Sequence, residues 1–229
     1  MADQITNTSL QEEARDSFAG TLRAAVSAIE GTGAAYLGMG DIASSALGRP
    51  RWTRDIEIFV RPEHAERVLE ALASEGFRTE RPTAGWLYKA YRDDVVVDVV
   101  FQTQGAITVD EEMIRRARTR VFSGVRMPML PPEDLLVIKA FAHSEANPSH
   151  WHDALALLAH HDLDWRYLLR RARHGPRRVL SLLVYAESVD LAVPRQAVDE
   201  LLALLYGLTR PQSAETGRER SLLGPQVSS

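Results

Sequence analysis

No cysteine occurs among the 229 residues, which excludes disulfides, thiolate metal sites and a cysteine nucleophile. Lysine is almost as scarce. Of 27 basic residues, all but Lys89 and Lys139 are arginines, so those two positions stand out. No apolar run approaches the roughly 20 residues needed to span a bilayer. The polar, acidic N-terminus has neither the basic nor the apolar region of a signal peptide. The expectation is a cytoplasmic protein with no membrane partner. A formal net charge of −4 gives no bulk attraction to nucleic acid or anionic lipid and leaves room only for a local basic patch. What is present is an ordinary globular balance, 45% hydrophobic and 25% charged, sufficient for a core in one large domain or two small ones.

Periodicity divides the chain into two regimes. From Ser9 to Ile29, apolar residues at helical spacing follow a capping serine and stop at Gly31 and Gly33. Ala34–Met39 predicts a strand, Ile42–Leu47 a small-residue helix, and Asp55–Val60 a second strand. Pro62–Gly76 has proline at its start and glycine at its end, the signature of an amphipathic helix. Trp86–Arg92 and Val95–Phe101 read as a hairpin turning at Asp93-Asp94, and Arg120–Phe122 with Val125–Met129 as another around Ser123-Gly124. After Pro131 nearly everything is helical: 133–143, 149–161, 165–173, 176–189 and 194–205. The expected fold class is α+β, a mixed sheet flanked by helices in residues 1–130, followed by a helical bundle over 131–208. Residues 209–229 are polar, lack periodicity and are expected to be disordered. There is no internal repeat.

Three acids carry the chemistry. Side chains alternate across a strand, so Asp55 and Glu57 share one face while Ile56 and Ile58 enter the core. Carboxylates ~7 Å apart along a strand repel unless a cation lies between them, and a hard ion such as magnesium takes an all-oxygen site. The bland reading is a solvated outer face. Asp98 lies among valines in 95–100, a run that implies burial on both faces, where a bare carboxylate needs a partner. That partner is either a base, with Lys89 on the facing strand the nearest lysine, or a metal shared with Asp55 and Glu57. Three converging carboxylates would equip the chain for phosphoryl or nucleotidyl transfer. Upstream, Gly38-Met-Gly40-Asp41 closes a strand and opens a helix, a place where backbone amides meet a phosphate, or simply a turn. Lys139, in an otherwise apolar helix, either contacts phosphate or snorkels to solvent. Asp153 falls in the predicted first turn of its helix, where the dipole favours an acid regardless of chemistry. Arg49, Arg51 and Arg54 are a solvated loop or a phosphate contact. His143, His150 and His152 lack zinc-binding spacing. Trp151 and Trp165 read as core.

Residues 36–43 (Tyr-Leu-Gly-Met-Gly-Asp-Ile-Ala), 48–60 (Gly-Arg-Pro-Arg-Trp-Thr-Arg-Asp-Ile-Glu-Ile-Phe-Val), 132–139 and 152–155 together resemble the polymerase-β-type nucleotidyltransferase superfamily, closest to its AbiEii-like branch of small bacterial proteins. The resemblance covers roughly residues 34 to 158. It implies that Gly40 is the phosphate-loop glycine, that Asp55 and Glu57 are paired metal ligands, and that Asp98 is a third ligand that activates the acceptor hydroxyl. Asp41, Thr53, Arg54, Lys139 and Asp153 fall with Gly40 in the nucleotide site. Magnesium or manganese is the implied ion and an NTP the implied substrate. The acceptor would be a tRNA end, a protein side chain or a small molecule such as an aminoglycoside-type antibiotic. The alternative is a non-catalytic nucleotide-binding or protein-interaction module, including a toxin–antitoxin component. Two positions depart from the family pattern: Glu57 stands where the second aspartate is usual, and Asp41 where serine or glycine meets the triphosphate.

Overall fold

The computed structural model describes residues 2–207, with side chains from residue 12 onward; the tail at 209–229 expected to be disordered lies outside them. Seven strands form one mixed sheet: β1 Tyr36–Gly38, β2 Asp55–Val60, β3 Arg78–Glu80, β4 Leu87–Arg92, β5 Val95–Val100, β6 Arg118–Phe122 and β7 Val125–Met129. Their order is β3-β4-β5-β2-β1-β7-β6. β2 runs parallel to β5, and β1 parallel to β7. The remaining neighbours are antiparallel.

Turn chemistry sets the two hairpins. Asp93 and Asp94 both have positive φ (50° and 61°), as do Ser123 and Gly124 (46° and 76°). Two left-handed residues in succession give the tight turn whose twist matches paired strands, and aspartate tolerates that region better than most side chains. The helices are α1 Ala2–Gly31, α2 Gly40–Leu47, α3 Pro62–Ser74, α4 Glu111–Arg116, α5 Pro132–Ala142, α6 Ser149–His160, α7 Trp165–Ala172, α8 Pro176–Ser188 and α9 Arg195–Tyr206. α1 and α3 pack together and against β3, β4, β5 and β7. Phe18, Leu22, Ile29, Val68 and Leu72 are buried in that layer. α2 lies on β2 and against α5 and α6, and α5 is the hub on which α6, α7 and α8 pack.

Two short elements, β3 and α4, fall where no element was expected. The reading of 95–100 as buried on both faces is corrected. Val96 and Asp98 are only partly buried, and Val99 and Val100 alone are covered on both sides. One face of β5 is therefore open at Asp98. No helix of the described residues is long and apolar enough to cross a membrane.

Candidate active site

Register brings the acids together. β2 and β5 pair Glu57 with Asp98 and Asp55 with Val96. β5 and β4 pair Asp98 with Lys89, and β4 and β3 pair Lys89 with Glu80. Residues opposite one another in a ladder project to the same side. Glu57, Asp98, Lys89 and Glu80 therefore form a charged row across four strands, with Asp55 two residues from Glu57 on the same face. Ile56, Ile58 and Val97, on the opposite face, are fully buried.

Burial first, and like charge after it, raise the carboxyls of Asp55 and Glu57. Burial and then the charge of Asp98 push the Asp55 carboxyl up, with Lys89 opposing and Asp41 adding to the rise. Glu57 is raised first by burial; Lys139 and the Asp41 amide pull it down, and the charges of Asp41 and Asp98 push it up. An all-oxygen, like-charged donor set of this kind suits a hard divalent cation. It is not a ready-made cage. Lys89 Nζ donates to Asp98 Oδ1 at 2.7 Å, and the Asp41 amide donates to Glu57 Oε2 at 2.6 Å. Among the described residues no group of three or more acidic or histidine side chains is disposed around a single metal position. The base-paired reading of Asp98 is therefore the one observed.

Gly40 explains how Glu57 reaches the start of α2. Its φ is +56°, and a Cβ built there would lie 1.6 Å from Glu57 Oε2. The Glu57 carboxylate thus occupies the free-amide end of α2, the position a phosphate would take. Gly40→Ala is expected to lower the unfolding free energy by about 1–2 kcal/mol from the left-handed backbone alone and to displace the Glu57 carboxylate. Denaturant titration reads the first; an unchanged midpoint would contradict the close packing.

The second centre is a buried ion network. Lys139 is 2% exposed and Asp153 1% exposed. Lys139 Nζ lies 3.1 Å from Asp41 Oδ1 and 3.0 Å from Asp153 Oδ2. Arg51 pairs with the same two acids, at 2.8 Å for Asp153 Oδ2, and Arg49 reaches Asp153 Oδ1 at 3.4 Å from the rim. Lys139 does not snorkel. Asp153 is the fifth residue of α6 rather than part of its first turn, so the dipole does not account for it. Asp41 turns its carboxylate toward Lys139 and Arg51, which removes the conflict between an acid at that position and a phosphate at the α2 amides.

The other expected residues are placed differently. Thr53 is buried, and its Oγ1 accepts from the Asp55 amide at 3.1 Å and donates to the Asp55 carbonyl at 3.3 Å. It fixes the start of β2. Arg54 lines a surface depression with Trp52, Asp93 and Asp94, outside the ion network. Arg51, which follows Pro50 in the loop at 48–54, enters the network instead, with Arg49 reaching it from the rim. The available signal was charge balance: acids at 41 and 153 and a lysine in an apolar helix must neutralise one another if buried.

No curated protein matches the sequence. Among solved structures, the chain is similar to the antibiotic-resistance factor ANT(2'')-Ia at 16% identity, with 75% of this chain and 92% of that one covered and a TM-score of 0.49. It is similar to the lincosamide antibiotic adenylyltransferase LnuA at 15% identity, 60% and 94% coverage and a TM-score of 0.45. An antigenic nucleotidyltransferase-like protein from Paracoccidioides brasiliensis matches at 13% identity, 84% and 98% coverage and a TM-score of 0.47. Likenesses this distant carry no functional argument. The sequence-family match does: a model described as uncharacterised nucleotidyltransferase aligns with residues 45–187, a span that includes Asp55, Glu57, Asp98, Lys139 and Asp153. On that match, over more than half its length, the chain belongs to the uncharacterised nucleotidyltransferase family.

Proposed function

We propose that the protein is a metal-dependent nucleotidyltransferase that moves an NMP group from an NTP to a hydroxyl of an acceptor. The observation that carries this reading is the placement of Asp55, Glu57 and Asp98 on one open face of paired strands, beside the amide end of α2. Asp55 and Glu57 would hold the divalent cation, with Asp98 as the third carboxylate; magnesium or manganese bound there would neutralise charge developing on the phosphorus oxygens. The acceptor oxygen attacks the α-phosphorus, the bond from that phosphorus to the bridging oxygen breaks, and pyrophosphate leaves. The acceptor proton passes to Asp98, whose other oxygen is held by Lys89. For phosphate to reach the α2 amides at Gly40 and Asp41, Glu57 must leave them, and the same movement turns its carboxylate toward the cation. Lys139, between Asp41 and Asp153, steadies that amide end by fixing α2 against α5 and α6. Thr53 acts through the backbone of Asp55.

One observation favours a second reading, a nucleotide-binding or protein-interaction module without transfer: the Glu57 carboxylate already fills the phosphate position. Calorimetry of ATP, GTP, CTP and UTP with and without magnesium, followed by transfer of label from each α-labelled NTP into cell lysate, separates the two. Magnesium-dependent binding together with labelled product is expected. Binding without product supports the module, and no NTP binding overturns the proposal.

A further inference from the structure

From Met113 to Pro132 the chain carries five arginines and no acid, in a protein whose net charge is negative. That stretch holds the end of α4 and the hairpin of β6 and β7. Arg116 is paired with Glu112 and Asp164. Arg115, Arg118, Arg120 and Arg126 hold no ion pair among the described residues, and all but Arg118 are exposed. β6 is also the last strand of the sheet. Its outer edge combines backbone groups that have no neighbouring strand with positive charge that has no neighbouring acid.

The turn decides which backbone groups face outward. With only Ser123 and Gly124 between them, Phe122 and Val125 exchange hydrogen bonds, and bonded pairs alternate along the hairpin from there. Arg120 with Met127 and Arg118 with Met129 are then bonded pairs, while Thr119 and Val121 point their amides and carbonyls away from β7. Two observations agree. Pro128, which has no amide to donate, stands opposite Thr119. The Thr119 carbonyl accepts from Arg120 Nη1 at 3.0 Å, not from a strand. Side chains divide in the same rhythm. Arg118 and Arg120 project to one side of β6 and Thr119 and Val121 to the other, where Val121 is 60% exposed.

An open strand edge accepts a further extended chain, and these side chains select which one. Antiparallel pairing of two copies through Thr119 and Val121 would set Arg120 opposite its own counterpart, and like charges facing one another destabilise a ladder. An acidic strand is complementary: carboxylates at alternate positions meet Arg118 and Arg120, and apolar residues between them meet Val121. A membrane also suits the arginines, Val121 and the exposed Trp52, which Phe18 joins to Phe122. Lipid, however, leaves the outward amides and carbonyls unpaired. Single-stranded nucleic acid satisfies the amides but sets phosphate against the carbonyls.

We infer that the outer edge of β6 binds an acidic, extended segment of a partner protein by strand addition. The surface does not depend on the transferase reading. The test is fluorescence anisotropy of the full chain with a labelled peptide of about ten residues that alternates glutamate and valine. In the paired register the valine amides face β6 and the glutamate amides face solvent. Methylating the valine nitrogens should weaken binding at least tenfold, and methylating the glutamate nitrogens should leave it unchanged. Val121→Pro removes an amide that the hairpin does not use, so it should weaken binding about tenfold with little change in melting temperature. The double variant Arg118→Glu, Arg120→Glu should lose the glutamate peptide and bind a lysine–valine peptide instead. No binding of the glutamate peptide, equal binding of its valine-methylated form, or an unchanged preference in the double variant overturns the inference. So does tighter binding of a 12-nucleotide single-stranded RNA or of phosphatidylserine vesicles, or a dimer in sedimentation that Val121→Pro dissolves. NTP calorimetry on the same sample keeps the two readings apart, because loss of NTP binding removes the transferase and leaves this edge.

Discussion

Lys139→Met should lower the unfolding free energy by about 3–5 kcal/mol, the usual cost of removing one partner from a buried ion pair. Methionine fills the space of the lysine stem but leaves Asp153, 1% exposed, and Asp41 with only Arg51 and the rim residue Arg49 between them. Adding Asp153→Asn to Lys139→Met removes the stranded charge and should recover part of the loss, a coupling that a double-mutant cycle measures. The acid limb gives an independent readout. Burial by itself raises the Asp153 carboxyl, but Lys139 first, then Arg51 and Arg49, more than reverse this and hold it below its ordinary value. A carboxyl depressed in the fold contributes stability that is fully present above its unfolded pKa, about 3.9, and is lost as pH falls through the depressed folded value. Without Lys139 that acid-sensitive contribution shrinks. The variant should therefore be less stable near neutrality yet lose less on acidification below pH 4. Equal stability of the variant and wild type in urea would remove the buried network as a structural element.

Legibility followed the range of the interactions. β2 at 55–60 and the strand cores of both hairpins were readable because alternation and turn residues lie within a few positions of one another. β3 and α4, at 3 and 6 residues, are too short to display a period. Coplanarity of Asp55 and Glu57 was readable from the two-residue repeat. The neighbourhood of Asp98 and Glu57 was not, since a parallel pairing between β2 and β5 leaves no local mark. The ion network was legible only as anomalies: an acid in a phosphate-loop position and a lysine in an apolar helix. Three of its pairings join residues 98 to 104 positions apart, and the irregular loop at 48–54 has no repeat to reveal that Arg51, not Arg54, turns inward. Both lysines of the chain proved to lie at the site, Lys89 on Asp98 and Lys139 on Asp41 and Asp153. In a chain that otherwise uses arginine throughout, these are the two positions where a compact ammonium meets carboxylates on the face of the sheet or at the amide end of α2.

Asp55→Asn is the substitution with the largest expected effect on transfer. The amide keeps the size and one oxygen of the carboxylate but removes the charge, and no further acid replaces it, since Glu57 and Asp98 already serve as the other two carboxylates of the proposed site. Loss of a charged group aimed at a phosphoryl transition state is worth on the order of 10³-fold in kcat, about 4 kcal/mol. The fold should respond in the opposite sense. The Asp55 carboxyl is raised by burial and by the charge of Asp98, so the ionised form is held against repulsion in the folded chain. Removing it relieves the strain, and the melting temperature should stay the same or rise. A residue that costs stability and supports chemistry shows this pair of signs, whereas a residue that merely solvates an outer strand face changes neither quantity. Asp98→Asn makes a useful contrast, because it frees Lys89 from its carboxylate while leaving Asp55 in place. If Asp55→Asn retained full magnesium-dependent label transfer, the open acidic face of β2 and β5 would not be where the chemistry takes place.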